Sequence, residues 1–425
     1  MFQYYESLRK QNRGAWIVHH GQKTSRTTGG SAEFPALDTA GKAASLLSQL
    51  AATDQTTLSK NRVISLGRAA GLNPNLDLPP LLAILSENRV IDMGESGDVE
   101  VLGLTSSATV QHASDIFHSL SPSTEEKAAI ALAEITSEAP RPEVVTGQFI
   151  GDEFQLTNKQ TKGFLRQSEL FGFVDAEGHG DEKVLFNGNL FRRDNITKTM
   201  RIIDSLTDSE ANNVRQLNQL LEQKGCLLVD NVEEMLGDQL FAKLQAAGMY
   251  DVNQMSNPSG QFGFVTRPAA FHKYNDPIVD DAFDLAKALV SALTYGMTKS
   301  AYSRGRITMV DALLRKLIAG HRVGPATAIG EDYQVLEMKG VIKVTRDGYG
   351  YIMELLKQDI GEMALSVLTT GEASSTTVLN RLLPGSLTAY IGPETTRENI
   401  RKLQRPRSKR LTLDVLTALR TEGGL

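Results

Sequence analysis

Apolar residues along this chain follow two rhythms, and the switch from one to the other recurs. In "LLAILSENRVIDMGESGDVEVLGL" (81–104), Leu81, Leu82 and Leu85 form the apolar face of a helix. Asn88 ends it, "RVID" starts a strand, and "ESGD" turns the chain into the alternating "VEVLGL". Three later stretches repeat the plan: "FLRQSELFGFVDAEGHGDEKVLFNG" (164–188), "LFAKLQAAGMYDVNQMSNPSGQFGFV" (240–265) and "YQVLEMKGVIKVTRDGYGYIMEL" (333–355). Their helices stop at Gly172, Gly248 and Gly340, residues that tolerate left-handed backbone. A Gly-, Asp- or Asn-rich turn then joins two runs of strand character, which predicts a hairpin. Successive helix ends lie 84, 76 and 92 residues apart. Such intervals suit small domains, not the roughly 20–50-residue repeats of a solenoid.

Further helices precede each hairpin. "DTAGKAASLLSQLAA" and "TLSKNRVISLGRAAGL" come before the first, "ATVQHASDIFHSL" and "STEEKAAIALAEIT" before the second. "TDSEANNVRQLNQLLEQKG" leads to the third, "DPIVDDAFDLAKALVSALTYGMTKSAYS" and "TMVDALLRKLIAG" to the fourth. Ser123 with Glu126, Thr157 with Gln160, and Thr207 with Glu210 are spaced as capping boxes, and Pro140 marks a helix stop. Near the start, "GAWIVHH" reads as a lone strand and "GQKTSRTTGGSAEFP" (21–35) as a Gly/Ser/Thr-rich linker. After the fourth hairpin, "DIGEMALSVL", "TVLNRLL" and "TLDVLTALRT" read as short helices of a C-terminal tail.

Helices followed by a last helix and a two-stranded hairpin resemble the winged-helix domain, a helix-turn-helix variant whose hairpin is the wing. The resemblance covers most of residues 35–360, in four copies, and rests on pattern and spacing. It implies an α+β, mainly helical chain of tandem winged-helix-like modules with small β-hairpin wings. The divisions are an N-terminal segment (1–35), modules at 36–106, 107–195, 196–273 and 274–357, and a basic helical tail (358–425).

In such a domain the helix before the wing enters the major groove. The second module suits that role. Lys159, Lys162 and Arg166 recur at spacings of three and four and share one helix face, while Phe164, Leu165 and Phe171 can face a core. Long cations reach phosphates or guanine edges, and amides such as Asn158 and Gln167 read adenine. Lys183 in the hairpin, with Arg192 and Arg193 after it, could clamp flanking phosphates. A second basic candidate is the segment Arg397 to Arg410, where Arg397, Arg401, Lys402, Arg405, Arg407, Lys409 and Arg410 face Glu398 alone. That density attracts DNA without regard to sequence. The run Arg9, Lys10, Arg13, Lys23 and Arg26 is a weaker third. The alternative for every charged stripe is a solvated face. Glu233, Glu234 and Asp238 in the third module, and Glu95, Asp98 and Glu100 in the first, would repel phosphate, which argues against four DNA-reading heads in a row. The fourth is mixed, with Glu331 and Asp332 against Lys339, Lys343 and Arg346.

Composition narrows the class further. The chain has 425 residues, 41% hydrophobic and 22% charged, ordinary for a folded protein of several domains. A net charge of -5 rules out a global basic field, so any nucleic-acid surface is local. One cysteine, Cys226, excludes intramolecular disulfides and a Cys-built zinc site and fits a reducing cytoplasm. No segment approaches the roughly 18 apolar residues of a membrane span.

Catalytic patterns mostly fail. "ALDTAGKAAS" imitates a phosphate-binding loop at Gly41 and Lys42, but Ala36 and Ala43 stand where the first glycine and the hydroxyl belong. His19 and His20, on a strand, would point to opposite faces and share no metal. Asp332, Glu337 and Lys339 resemble the acidic pair plus lysine of metal-dependent nucleases, yet that chemistry needs a strand and these residues read as helical. The expectation is a DNA-binding, non-enzymatic recognition, clamp or adaptor subunit of a bacterial assembly, of mobile-element or phage-defence kind. It would use no cofactor, bind double-stranded DNA with little or modest sequence preference, and contact other subunits or itself. A DNA-binding transcriptional regulator, dimerising through the helices at 276–320, is one alternative. A winged-helix scaffold with no nucleic-acid role is the other.

Overall fold

The structure is a computed structural model that describes residues 2–51, 57–94, 96–101, 106–191, 193–257, 260–274 and 280–373. It is an α+β chain, mainly helical, with small three-stranded antiparallel sheets. The N-terminal helices are α1 (Gln3–Ser7), α2 (Lys10–Arg26), α3 (Gly30–Glu33) and α4 (Pro35–Ala51). Unit 1 continues with β1 (Thr57–Leu58), α5 (Lys60–Ala69), α6 (Leu78–Glu87), β2 (Ile91–Met93) and β3 (Val99–Val101). After α7 (Ser106–Ser119), unit 2 runs α8 (Thr124–Glu138), β4 (Arg141–Pro142), α9 (Glu143–Phe154), α10 (Asn158–Phe171), β5 (Asp175–Glu177) and β6 (Val184–Phe186). Helix α11 (Ile196–Asp204) leads to unit 3: α12 (Asp208–Lys224), β7 (Leu227–Leu228), α13 (Val229–Leu236), α14 (Asp238–Ala246), β8 (Asp251–Asn257) and β9 (Gly260–Thr266). Unit 4 follows α15 (Ala269–His272): α16 (Asp280–Thr298), α17 (Val310–Ile318), β10 (Val323–Ala326), α18 (Thr327–Asp332), α19 (Gln334–Met338), β11 (Ile342–Asp347), β12 (Gly350–Leu355), closed by α20 (Gln358–Thr370).

All four hairpins predicted from the pattern are present, and each gains a partner the pattern did not show. A strand of two to four residues ahead of the paired helices joins the hairpin's second strand, giving the orders β1-β3-β2, β4-β6-β5, β7-β9-β8 and β10-β12-β11. Such short strands lack a readable period-two signal and form because the hairpin offers an unpaired edge. The helix stops fall where expected. Gly172, Gly248 and Gly340 take positive φ of 73°, 77° and 65°. At the first stop the left-handed residue is Arg89, φ 56°, one beyond Asn88, whose Nδ2 instead donates to the Ile84 carbonyl at 2.8 Å.

The opening segment departs most from expectation. "GAWIVHH" is the middle of α2, not a strand, and the supposed linker is the end of α2 followed by α3. Glycine here gives close approach, not flexibility. A Cβ on either Gly21 or Gly41 would stand 2.7 Å from the other's Cα, so α2 and α4 cross backbone to backbone at the point that imitated a phosphate loop. Lys42 pairs with Asp38 at 2.9 Å and Asp77 at 3.6 Å. Gly41→Ala overpacks this crossing. A loss of about 1–3 kcal/mol in denaturant unfolding is expected, and an unchanged midpoint would contradict the role given to the contact.

Helix α8 is apolar nearly all round and is buried from Ala128 to Ser137. Its capping-box residue Glu126 also satisfies a neighbour: Oε2 accepts from Ser123 N at 2.8 Å, while Oε1 takes the first amides of α4, Ala36 and Leu37, at 2.7 and 2.9 Å. Units 1 and 2 therefore share one continuous core with α2, α4, α7 and α8, from Tyr5 to Leu185. Unit 4, α16 and α20 form a second core, and unit 3 a third. Helix α20, expected in a separate tail, packs Ile360, Met363, Ala364 and Val367 into that second core. So does α16, whose Ala286, Leu289, Val290 and Leu293 are buried against its own chain, so that this face of α16 is not open to a second copy. Cys226 is buried there too, and burial pushes its thiol up to about 12. "TVLNRLL" and "TLDVLTALRT" lie outside the described residues.

His19 and His20 sit on a helix with ring centroids 5.4 Å apart. His20 is fully buried, donates Nε2–H to the Ala129 carbonyl at 3.3 Å, and has its pKa lowered well below 6.5, first by burial and then by Lys23. The unfolded chain thus binds a proton that the folded chain refuses, so stability falls as pH drops below about 6.5, at up to about 1.4 kcal/mol per pH unit. In thermal melts between pH 7.5 and 5.5, His20→Gln should flatten that decline. An equal decline in both chains would assign it to other groups.

Candidate nucleic-acid interface

Helix α10 is built as its sequence requires. Thr157 Oγ1 accepts from the Gln160 amide at 3.4 Å and the Gln160 side chain accepts from the Thr157 amide at 3.0 Å. Gly172 closes the helix. Thr161, Phe164, Leu165, Ser168 and Phe171 are buried, which turns Asn158, Lys159, Lys162 and Arg166 outward. Among the described residues no carboxylate pairs with Lys159, Lys162 or Arg166. At 1.5 Å per residue the three cations span roughly 10 Å, about three phosphate steps of one strand.

Three of the other candidates have partners in their own neighbourhood. Lys183 is half-buried between Glu169 at 2.8 Å and Glu143 at 3.0 Å. Burial opposes its charge, but the hydrogen bonds and charges of those two carboxylates outweigh it and hold its pKa above the usual lysine value. Arg193 lies 3.7 Å from Asp175 and 3.6 Å from Glu177. Gln167 is half-buried and donates to Glu33 at 2.8 Å. The hairpin expected to clamp phosphate thus keeps Asp181 and Glu182 exposed, while Lys183, and Arg193 beyond it, lie beside carboxylates. The pairing has a local cause: the cations sit beside carboxylates that adjacent elements bring together, and no sequence spacing reveals that. Arg192, Arg401, Lys402, Arg405, Arg407, Lys409 and Arg410 lie outside the described residues.

Apolar side chains that the sequence did not single out flank the stripe. Val144, Val145 and Phe149 on α9 are 50%, 52% and 38% exposed, and Leu170 continues the α10 stripe at 38%. Val145 and Phe149, four residues apart, share a face of α9. That spacing was readable, but a buried face gives the same signal.

No other unit repeats the stripe. Helix α6 has no cation, and beside it Asp98 accepts from the Lys60 amide at 3.3 Å. Unit 3 exposes Glu234 and Asp238. Unit 4 exposes Lys339, Lys343, Arg346 and, at its hairpin tip, the whole side chain of Tyr349. The nuclease-like triplet does not assemble on a strand: Asp332 is buried and paired with Arg304 at 2.8 Å at the end of α18, while Glu337 is exposed on α19 and Lys339 just after it. Among the described residues no group of three or more His, Cys, Asp or Glu side chains is placed to share a metal, and no helix is long and apolar enough to cross a membrane.

Compared with family models, curated proteins and solved structures, the chain finds no match.

Proposed function

We propose that the chain is a non-enzymatic DNA-binding subunit of a larger cytoplasmic assembly. In this reading its four units are tandem winged-helix-like modules and unit 2 supplies the contact to double-stranded DNA. One observation carries this: Lys159, Lys162 and Arg166 stand exposed and unpaired, in register, on the helix that precedes a hairpin, in a chain whose net charge is -5. The shared order of helix, short strand, two helices and hairpin in all four units supports the modular part.

Three unpaired cations make a modest, backbone-directed contact. Duplex binding followed by fluorescence anisotropy should weaken with salt at a slope of log K against log salt near -3, since each phosphate contributes about -0.9. Binding that is absent at low salt, or insensitive to it, would overturn the reading. The exposed Val144, Val145 and Phe149 beside the stripe favour a second one, a scaffold whose unit 2 docks a protein. A DNA-silent chain would support it. The link to mobile-element or phage-defence systems is an extension of the subunit reading, tested by co-purification with an ATPase or nuclease from the source cell.

A further inference from the structure

The N-terminal core and the two C-terminal cores are separate, and between them lie a polar seam and a small apolar cluster of Phe186, Phe191 and Ile196. The strap from Ala269 to Tyr274 crosses the seam. Ala270 and Phe271 sink into the C-terminal core beside α16, whereas Tyr274 enters the N-terminal core with its ring 4.5 Å from Trp16. Between these anchors, Lys273 is 4% exposed and shares its ammonium between Glu134 of α8 at 2.6 Å and Glu372, after α20, at 3.1 Å. Its carbonyl accepts from Asn187 Nδ2 at 2.8 Å, the Ala373 amide donates to the Ala270 carbonyl at 2.7 Å, and Arg9 donates to the Thr370 carbonyl. Next to the strap a cavity of about 300 Å³ separates Ser137, Glu138 and Phe191 on the unit 2 side from Arg215, Met249 and Arg267 on the unit 3 side.

We propose that Lys273 is the latch of a two-body clamp. Charge pairing at a buried position is specific in geometry and strongly unfavourable when one partner is removed. The main cores of the two bodies do not interpenetrate, so apart from the strap and the small cluster of Phe186, Phe191 and Ile196 the angle between them rests on this pairing, and the cavity leaves room to change it. With the latch closed, units 1 and 2 hold one orientation to units 3 and 4. With it open, each body keeps its own core and the pair swings about the strap.

The test uses the full chain with spin labels at Ser65→Cys and Gln245→Cys, exposed positions in the two bodies, while the buried Cys226 thiol stays unlabelled. Double electron–electron resonance should give one narrow distance peak for the parent chain. Lys273→Met and Glu372→Gln should each lose that narrow peak in favour of a broad distribution, with the helical circular-dichroism signal retained. Glu372→Gln leaves the Lys273–Glu134 pair in place and so reads the latch even if Lys273→Met folds poorly. A parent-like narrow peak in Glu372→Gln overturns the proposal, as does unfolding of both bodies together without an intermediate broad state.

Discussion

Replacing Lys159, Lys162 and Arg166 together by alanine is expected to weaken duplex binding by two to three orders of magnitude at about 0.1 M salt, and to remove nearly all of its salt dependence. The magnitude follows from counterion release. Three neutralised phosphates contribute about -2.7 to the slope, which at that concentration is roughly a 500-fold effect. Because the three side chains are exposed and unpaired, their removal should leave the melting temperature unchanged. Arg193→Gln is the control, since Asp175 and Glu177 already offset that charge and the loss should be small. Equal losses in the two variants would mean that the field of the whole unit, not the α10 stripe, attracts DNA. A triple variant that binds like the parent chain would remove α10 from the interface altogether.

The largest stability effect should come from Trp16→Ala. Trp16 is 1% exposed, donates Nε1–H to Glu134 at 2.6 Å, and packs against Tyr274 and His20. Its removal opens a cavity worth about 3–5 kcal/mol and strips a donor from a buried carboxylate. Since it is the sole tryptophan, unfolding is followed by circular dichroism. Trp16→Phe keeps most of the ring and loses the N–H, so it should cost about 1.5–3 kcal/mol. The ordering Ala worse than Phe is the discriminating result. Equal losses would mean that the hydrogen bond, not the packing, carries the effect.

Much of the fold was legible because local rules act over a few residues. Capping boxes at Ser123, Thr157 and Thr207 all form, as the spacing of hydroxyl and carboxylate or amide predicts. Left-handed glycines stop three of the four predicted helices at or next to the expected residue for the same reason. The misreading of "GAWIVHH" shows where such rules end. A run of bulky apolar residues suits a buried strand and a buried helix alike, and only packing against α4 and α7 decides for the helix. The Gly-rich stretch after it failed likewise, because a glycine chosen for close helix crossing looks the same as one chosen for flexibility.

The candidate site divides along the same line. That Lys159, Lys162 and Arg166 share a face is a consequence of helical geometry and was fixed by their spacing. That they stay unpaired while Lys183 and Arg193 do not depends on Glu143, Glu169, Asp175 and Glu177 arriving from other elements. By itself, then, the amino-acid order determined the helix stops, the capping boxes, the four hairpins and the basic stripe of α10, all products of short-range periodicity and capping. Tertiary structure alone decided which charges remain free, which strands complete the sheets, and how Lys273 bridges Glu134 and Glu372, because those outcomes depend on groups that meet only after the chain has folded.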